Sequence, residues 1–302
     1  MELKQLEYIV KIAEERNITK AAEKMYITQS ALNQQLLKLE KELGSQLFYR
    51  SRTNWKLTDI GEIYIKNAEK ILNIKKETYD QINDLLEKYK GNLRIGLTPE
   101  RGISMFASVY PRFYEMFPNI SVEPVEMNVK MQEKMIENGQ LDIGFMTLSE
   151  EQRTGNNTYI PILEENIIMA VPSIHPLAKS IRGKNIQRID LKLFKNDTFV
   201  LLSKNTTMRE IIDPLFEKAG FVPNILFETK SSRTLYQMAS SHLACTFISE
   251  TYAEINDRIV YFSLPESPSW ELCTVYRKGA YLSKAAKNFI KLAEDYWKNK
   301  IK

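Results

Sequence analysis

The spacing of apolar residues divides this chain into successive stretches. In the first, Leu3, Leu6, Val10 and Ala13 recur at helical intervals and predict a helix with one buried face. A second, short helical segment carries Ala21 and Ala22, with Thr19 as its expected cap. Only Tyr26-Ile27 separates that segment from Thr28, the expected cap of a third helix. There Leu32, Leu36, Leu39 and Leu43 form an apolar face, and Gly44 stands where a left-handed residue ends a helix. Two helices joined this tightly predict a helix-turn-helix. Residues 47–50 and 55–57 then read as two strand-like pieces around the polar turn Ser51-Arg52-Thr53-Asn54, a wing.

Thr58 caps the next element. From Asp59 to about Tyr89, Gly61 is the one helix breaker. Tyr64, Ala68, Ile71, Thr78, Ile82, Leu85 and Tyr89 follow alternating steps of four and three once Lys75 is counted. Such a helix spans roughly 45 Å, and its apolar seam needs a partner. After Lys90-Gly91-Asn92 the pattern changes to alternating strands and helices. Strands are expected at 93–97, 120–127, 141–146, 199–202, 225–228, 244–248, 259–262 and 271–277. Helices are expected at 105–116, 130–138, 207–219, 231–240 and 283–297. This alternation predicts α/β layers.

The third helix has an unusual polar side. Ser30, Gln34 and Lys41 lie opposite the leucines, with Gln29 and Asn33 on the flanks. Amides and hydroxyls both donate and accept, so they can match base edges in a major groove. Arg50, Arg52 and Lys56 of the wing would bring positive charge to phosphates.

The run Ala21-Ala22, Thr28-Gln29-Ser30-Ala31-Leu32, Leu39-Glu40, Leu43-Gly44, Leu47-Phe48, Arg50, Leu57-Thr58 and Gly61 resembles the N-terminal signature of LysR-type transcriptional regulators. Asn33 stands where the family usually has Ser, Met25 replaces a usual Leu, and Arg52-Thr53 differ from a common Gly and Arg. Gly139-Gln140-Leu141-Asp142-Ile143-Gly144 and Val171-Pro172-Ser173-Ile174-His175-Pro176-Leu177-Ala178 resemble the family's effector domain. At Ser240-Ser241-His242-Leu243-Ala244 the family tends to have glycines, so a less flexible turn is expected. The resemblance implies that the long helix is a linker pairing antiparallel with that of a second subunit. It also implies a C-terminal domain like a type II periplasmic-binding protein, two-lobed, with crossovers near Pro161 and Pro265. The expected division is residues 1–58 for the winged helix-turn-helix, 59–90 for the linker and 91–302 for the effector domain. Within the last, lobe I takes 91–161 and 268–302, and lobe II takes 162–267. The set expected to meet double-stranded DNA is Thr28, Gln29, Ser30, Asn33, Gln34, Lys38, Arg50 and Arg52.

Composition narrows the class only a little. The chain has 302 residues, a net charge of +4 and 43% hydrophobic residues, enough for two or three cores. The opening Met1 to Gln5 runs straight into an amphipathic pattern, so no signal peptide is expected. No apolar run is long enough to cross a membrane. Two cysteines make no disulfide framework, and a reducing cytoplasm is the expected compartment.

The two histidines, His175 and His242, lack partners at ligand spacing, and no phosphate loop, dinucleotide motif or nucleophile elbow is present. Neither a cofactor nor enzymatic activity is expected. A small-molecule site is expected where strand ends and helix starts converge. Its candidates are Thr98, Glu100 and Arg101 after the first strand, Asn128 and Thr147 after later strands, and Ser203, Asn205 and Thr206 opening a helix. Hydroxyls, helix-start N–H groups and the cations Arg101 and Lys204 suit a small organic anion or an amino acid. Thr207 reads as a simple cap. The leading expectation is therefore an effector-controlled DNA-binding regulator, a homodimer or homotetramer. A solute-binding protein, a metabolic enzyme with an accessory domain and a regulator sensing oxidants through Cys245 and Cys273 are the rivals.

Overall fold

A computed structural model describes residues 2–51, 54–179, 186–254 and 257–300. The chain forms two compact units, one of residues 1–88 with 138–140 and one of residues 89–137 with 141–302.

In the first unit, α1 (Leu3–Glu15), α2 (Ile18–Lys24) and α3 (Gln29–Leu43) precede a two-stranded antiparallel wing, β1 (Phe48–Tyr49) and β2 (Lys56–Leu57). The α2 cap is Asn17, whose side chain accepts from the Lys20 N–H, rather than Thr19. Arg16 adopts φ 50° and closes α1, so the chain leaves it extended at Asn17 and Thr19 already lies inside the next helix. Thr28 does cap α3, accepting from Ala31 N–H, and Gly44 takes φ 69° at its end. Ile9, Ile12, Ala21, Leu32, Leu36 and Leu39 meet in one core. Leu3 and Leu43, at the two ends of the predicted faces, are exposed.

The long helix α4 (Asp59–Leu85) starts at Thr58, whose hydroxyl accepts from Gly61 N–H and donates to the Gln46 carbonyl at 2.8 Å. A Cβ at Gly61 would lie 2.1 Å from the Leu47 carbonyl oxygen, so only glycine lets α4 pass this close to the wing. Ile65 and Ala68 bury against α1 and its neighbours, with Tyr64, Ile71 and Leu72 packed beside them. Further along, Ile74, Tyr79, Ile82, Leu85 and Leu86 stay exposed. Tyr89 is not on this seam. Glu87 adopts φ 52° and Lys88 N–H bonds the Asn83 carbonyl, a left-handed helix end made without glycine. Tyr89 instead packs edge-on against Phe117 in the second unit.

The second unit is built on one sheet in the order β4-β3-β5-β12-β6-β11-β7, with β10 also on β6. Its strands are β3 (Gly91–Leu97), β4 (Ile120–Glu126), β5 (Ile143–Leu148), β6 (Asn157–Pro172), β7 (Gln187–Arg188), β10 (Thr246–Ser249), β11 (Ile259–Ser263) and β12 (Ser269–Arg277). Helices α5 (Arg101–Met116), α6 (Val129–Glu137) and α9 (Lys284–Lys300) belong to its first lobe. Phe113, Phe145 and Phe289 centre that lobe's core. The second lobe adds a parallel pair, β8 (Thr198–Leu202) and β9 (Asn224–Thr229), with α7 (Thr207–Ala219) and α8 (Ser232–Ser240). Its core gathers around Phe199, Phe216 and Phe247.

The crossover expected near Pro161 is not a loop. β6 is one strand of 16 residues that pairs with β12 along its first part and with β10 and β11 along its second. Pro161 sits beside a register shift opposite Leu272 and Cys273, the kind of irregularity where a strand tolerates proline. The return crossover lies at 264–268, as expected from Pro265. After α8, His242 takes φ 60°, a left-handed conformation that favours glycine.

Candidate DNA-contacting helix and effector cleft

The buried leucines of α3 turn its other side outward. Thr28, Gln29, Ser30, Gln34 and Lys38 are exposed and Asn33 is half-buried. The Thr28 and Ser30 hydroxyls lie 3.1 Å apart, so the cap and its neighbour steady each other. Tyr26, in the turn before Thr28, is 95% exposed with φ 53°.

Arg50 is not a free cation. Its guanidinium pairs with Glu40 of α3 and lies over the Trp55 ring. Glu40 is itself buried and accepts from Leu47 N–H at 2.8 Å. A buried carboxylate needs such partners, and the pair ties the wing to α3. Lys56 remains exposed. Arg52 lies outside the described residues.

In the second unit the eight cleft candidates have different fates. Thr98 is half-buried after β3, and its carbonyl accepts from Gly102 N–H at 3.0 Å. Arg101, expected to balance a ligand's charge, is instead consumed by the protein. It is buried, with one nitrogen 2.6 Å from Glu165 Oε2 and a second on the other carboxylate oxygen. Glu165 also accepts from Ser249 at 3.0 Å, Thr251 at 2.8 Å and Trp270 Nε1 at 2.8 Å. Burial pushes this carboxyl up, but the hydrogen bonds and charge of Arg101, with Trp270 and Thr251, hold it below the usual range. Glu100 accepts from the backbone N–H of Ser232, the first residue of α8, at 2.7 Å.

Asn128 caps α6, its Oδ1 accepting from Met131 N–H at 3.0 Å. Thr147 is buried, and its carbonyl accepts from the Thr207 hydroxyl at 2.8 Å. Thr207 is thus an inter-lobe donor and not a cap. Ser203 donates to the Thr229 carbonyl at 3.2 Å and Thr206 to the Ser203 carbonyl at 2.9 Å, which leaves their oxygens able to accept. Asn205 is exposed.

Residues not foreseen also join the lobes. Glu210 of α7 pairs with Lys130 of α6 at 2.6 Å and accepts from Gln152. Partial burial raises its carboxyl, and these two partners overcome that and lower it. Spacing could not reveal such contacts, because each joins elements far apart in sequence.

Burial drives the Cys245 thiol up to about 12 and Cys273 up to about 11, the nearby Arg153 notwithstanding. Both stay protonated at neutral pH, which disfavours redox sensing. His175 bonds Asp197 at 3.0 Å and stacks on Phe194, a structural role. Among the described residues, no three His, Cys, Asp or Glu side chains are placed to hold a metal ion, and no helix is long and apolar enough to cross a membrane.

Residues 3–62 match the bacterial regulatory helix-turn-helix family of the LysR type, and residues 87–298 match the LysR substrate binding domain. An uncharacterized HTH-type transcriptional regulator of Bacillus subtilis, YwbI, is 31% identical over 98% of this chain and 97% of its own. A full-length OxyR variant from Pseudomonas aeruginosa shares the fold with a TM-score of 0.71, at 21% identity over 98% of this chain and 97% of its own. CbnR in complex with its target DNA does so with a TM-score of 0.56, at 19% identity over 98% and 99%. With both halves matched in order, and the winged helix-turn-helix and two-lobed α/β unit in place, the chain belongs to the LysR family of transcriptional regulators, with a DNA-binding domain followed by an effector-binding one.

Proposed function

We propose that α3 reads operator bases through Gln29, Ser30, Asn33 and Gln34, with Thr28, Lys38, Arg50 and Arg52 at the backbone. The carrying observation is the exposed polar side of α3, set directly opposite the buried Leu32, Leu36 and Leu39. Arg50 acts here chiefly by holding the wing. Residues 1–58, 59–90 and 91–302 serve as reader, dimerising linker and sensor. The exposed Ile74, Tyr79, Ile82 and Leu85 support the linker role, since a second copy would cover them. The protein works in the cytoplasm and has no enzymatic activity of its own.

The effector is a small organic anion or amino acid held between the lobes, met by Thr98, Ser203, Asn205 and Thr206. The exposed or half-buried polar loops of both lobes support this reading. Its binding changes the placement of the reader domains by favouring one of two arrangements.

Fluorescence anisotropy with the protein's own upstream DNA tests the reader. Gln29→Ala, Asn33→Ala and Gln34→Ala should each weaken specific binding by about 1–3 kcal/mol and leave non-specific binding nearly intact. Equal losses of both would refute base readout by α3.

A further inference from the structure

The loop 98–100 does more than lead into α5. Glu100 adopts φ 58° and ψ −66°, and Arg101 N–H bonds the Pro99 carbonyl at 2.6 Å. This is the rarer, positive-φ γ-turn, strained for any residue with a Cβ. Fixed elements flank it on both sides. On one side β3 is fixed in the sheet. On the other, Arg101 is anchored to Glu165 and Thr251 at the junction of the lobes.

What the strained residue gains is reach. The Glu100 side chain leaves the first lobe, and its carboxylate takes the Ser232 N–H of the second at 2.7 Å. Ser231 meanwhile accepts from Thr234 N–H with its own hydroxyl. The first turn of α8 is therefore capped twice, once by its own chain and once from the opposite lobe. A carboxylate at a helix start is favoured by the helix dipole as well as by the hydrogen bond. The Thr207 hydroxyl on the Thr147 carbonyl, and Glu210 on Lys130 and Gln152, also join the lobes. All these contacts form in the one arrangement of the lobes seen here, with both lobes in touch.

We propose that Glu100 is a built-in latch: without effector, its carboxylate on Ser232 N–H holds the two lobes closed. The latch turns the closed form into a resting state that must be released before the lobes rearrange. It rests on the reading of this cleft as the sensor. Its own operation needs no ligand and is tested without one.

Both halves of the latch can be removed separately. Glu100→Ala deletes the acceptor. Ser232→Pro deletes the donor at the first position of a helix, where proline is well tolerated, and Ser231 already has the extended backbone that precedes proline. Spin labels at Lys291→Cys in α9 and Glu217→Cys in α7, both exposed, report lobe separation in the full-length chain. The native cysteines are buried and escape labelling. A few labelled chains diluted into unlabelled protein keep the measured distance within one chain. Double electron–electron resonance should show one narrow distance in the parent. Each variant should add a second, longer population of similar size, and the double variant should match the single ones, since both remove the same bond. Glu100→Gln, which keeps an acceptor but no charge, should fall between. The proposal is overturned if Glu100→Ala leaves the distribution unchanged. It is also overturned if Ser232→Pro leaves it narrow, or if the double variant opens the lobes by the sum of both. A failure to find any effector would sink the sensor reading and leave these distances untouched.

Discussion

Replacing Arg101 by Met should be among the most damaging single changes in the second unit. Glu165 is 1% exposed, and Arg101 donates to both of its oxygens. Removing one partner of a buried pair typically costs 3–5 kcal/mol, because the other charge stays behind. Here Ser249, Thr251 and Trp270 still donate to Glu165, so the lower end, about 3 kcal/mol, is expected. Two of the three tryptophans report directly: Trp270 bonds Glu165, and Trp297 lies under the Arg101 guanidinium at 4.9 Å. Urea unfolding followed by tryptophan emission should show the loss as an earlier midpoint at unchanged slope. The pH dependence has a definite sign. The folded-state carboxyl of Glu165 lies below its unfolded value, so its stabilisation is present above the unfolded pKa and fades as pH falls through the folded one. Without Arg101 the largest lowering influences are gone, and the variant should lose less on acidification. A second substitution, Glu165→Met in the same chain, should restore much of the stability. An Arg101→Met cost under about 1 kcal/mol, or no rescue by the second change, would refute a buried, mutually dependent pair.

Two further outcomes test the remaining readings. Ile82→Lys or Leu85→Lys would place an unpaired charge in the proposed seam, so analytical ultracentrifugation should show weaker subunit association, and an unchanged oligomer for both would refute the linker role. In a thermal-shift screen of carboxylates and amino acids on the full chain, a true ligand contributes about 2.7 kcal/mol at a hundredfold excess over its Kd. Thr98→Val and Thr206→Val should remove most of that shift, and a shift surviving both would move the site elsewhere.

Much of the fold was legible because it depends on neighbours in sequence. Thr28 and Gly44 bracket α3, and α7 spans residues 207–219 as its pattern predicts. Two of the errors share a cause, a non-glycine residue in the left-handed region. Thr19 lost the cap to Asn17 because the left-handed turn at Arg16 set where α2 began. The α4 helix stopped before Tyr89 because Glu87 took a conformation usually left to glycine. β6 was hidden by Pro161 and by Glu164-Glu165-Asn166, which break any strand-like alternation. Glu165 can lie in a strand interior only because Arg101, 64 residues earlier in the chain, meets it there. Of the candidate cleft, the sequence named polar residues but not the partners they take inside the protein. Arg101, Asn128 and Thr147 serve the protein's own frame, and Glu100 reaches a helix start in the other lobe.

The uninterrupted strand β6 also limits how this sensor can move. A flexible tether would let one lobe slide freely past the other. A strand hydrogen-bonded to β12 at one end and to β10 and β11 at the other ties the two lobes into one continuous sheet. Strand-to-strand twist varies from sheet to sheet, and the bulge opposite Leu272 and Cys273 is where the local twist increases. The lobe rearrangement proposed above would therefore be a rotation about a stiff axle, its output an angle that grows into displacement only with distance from β6.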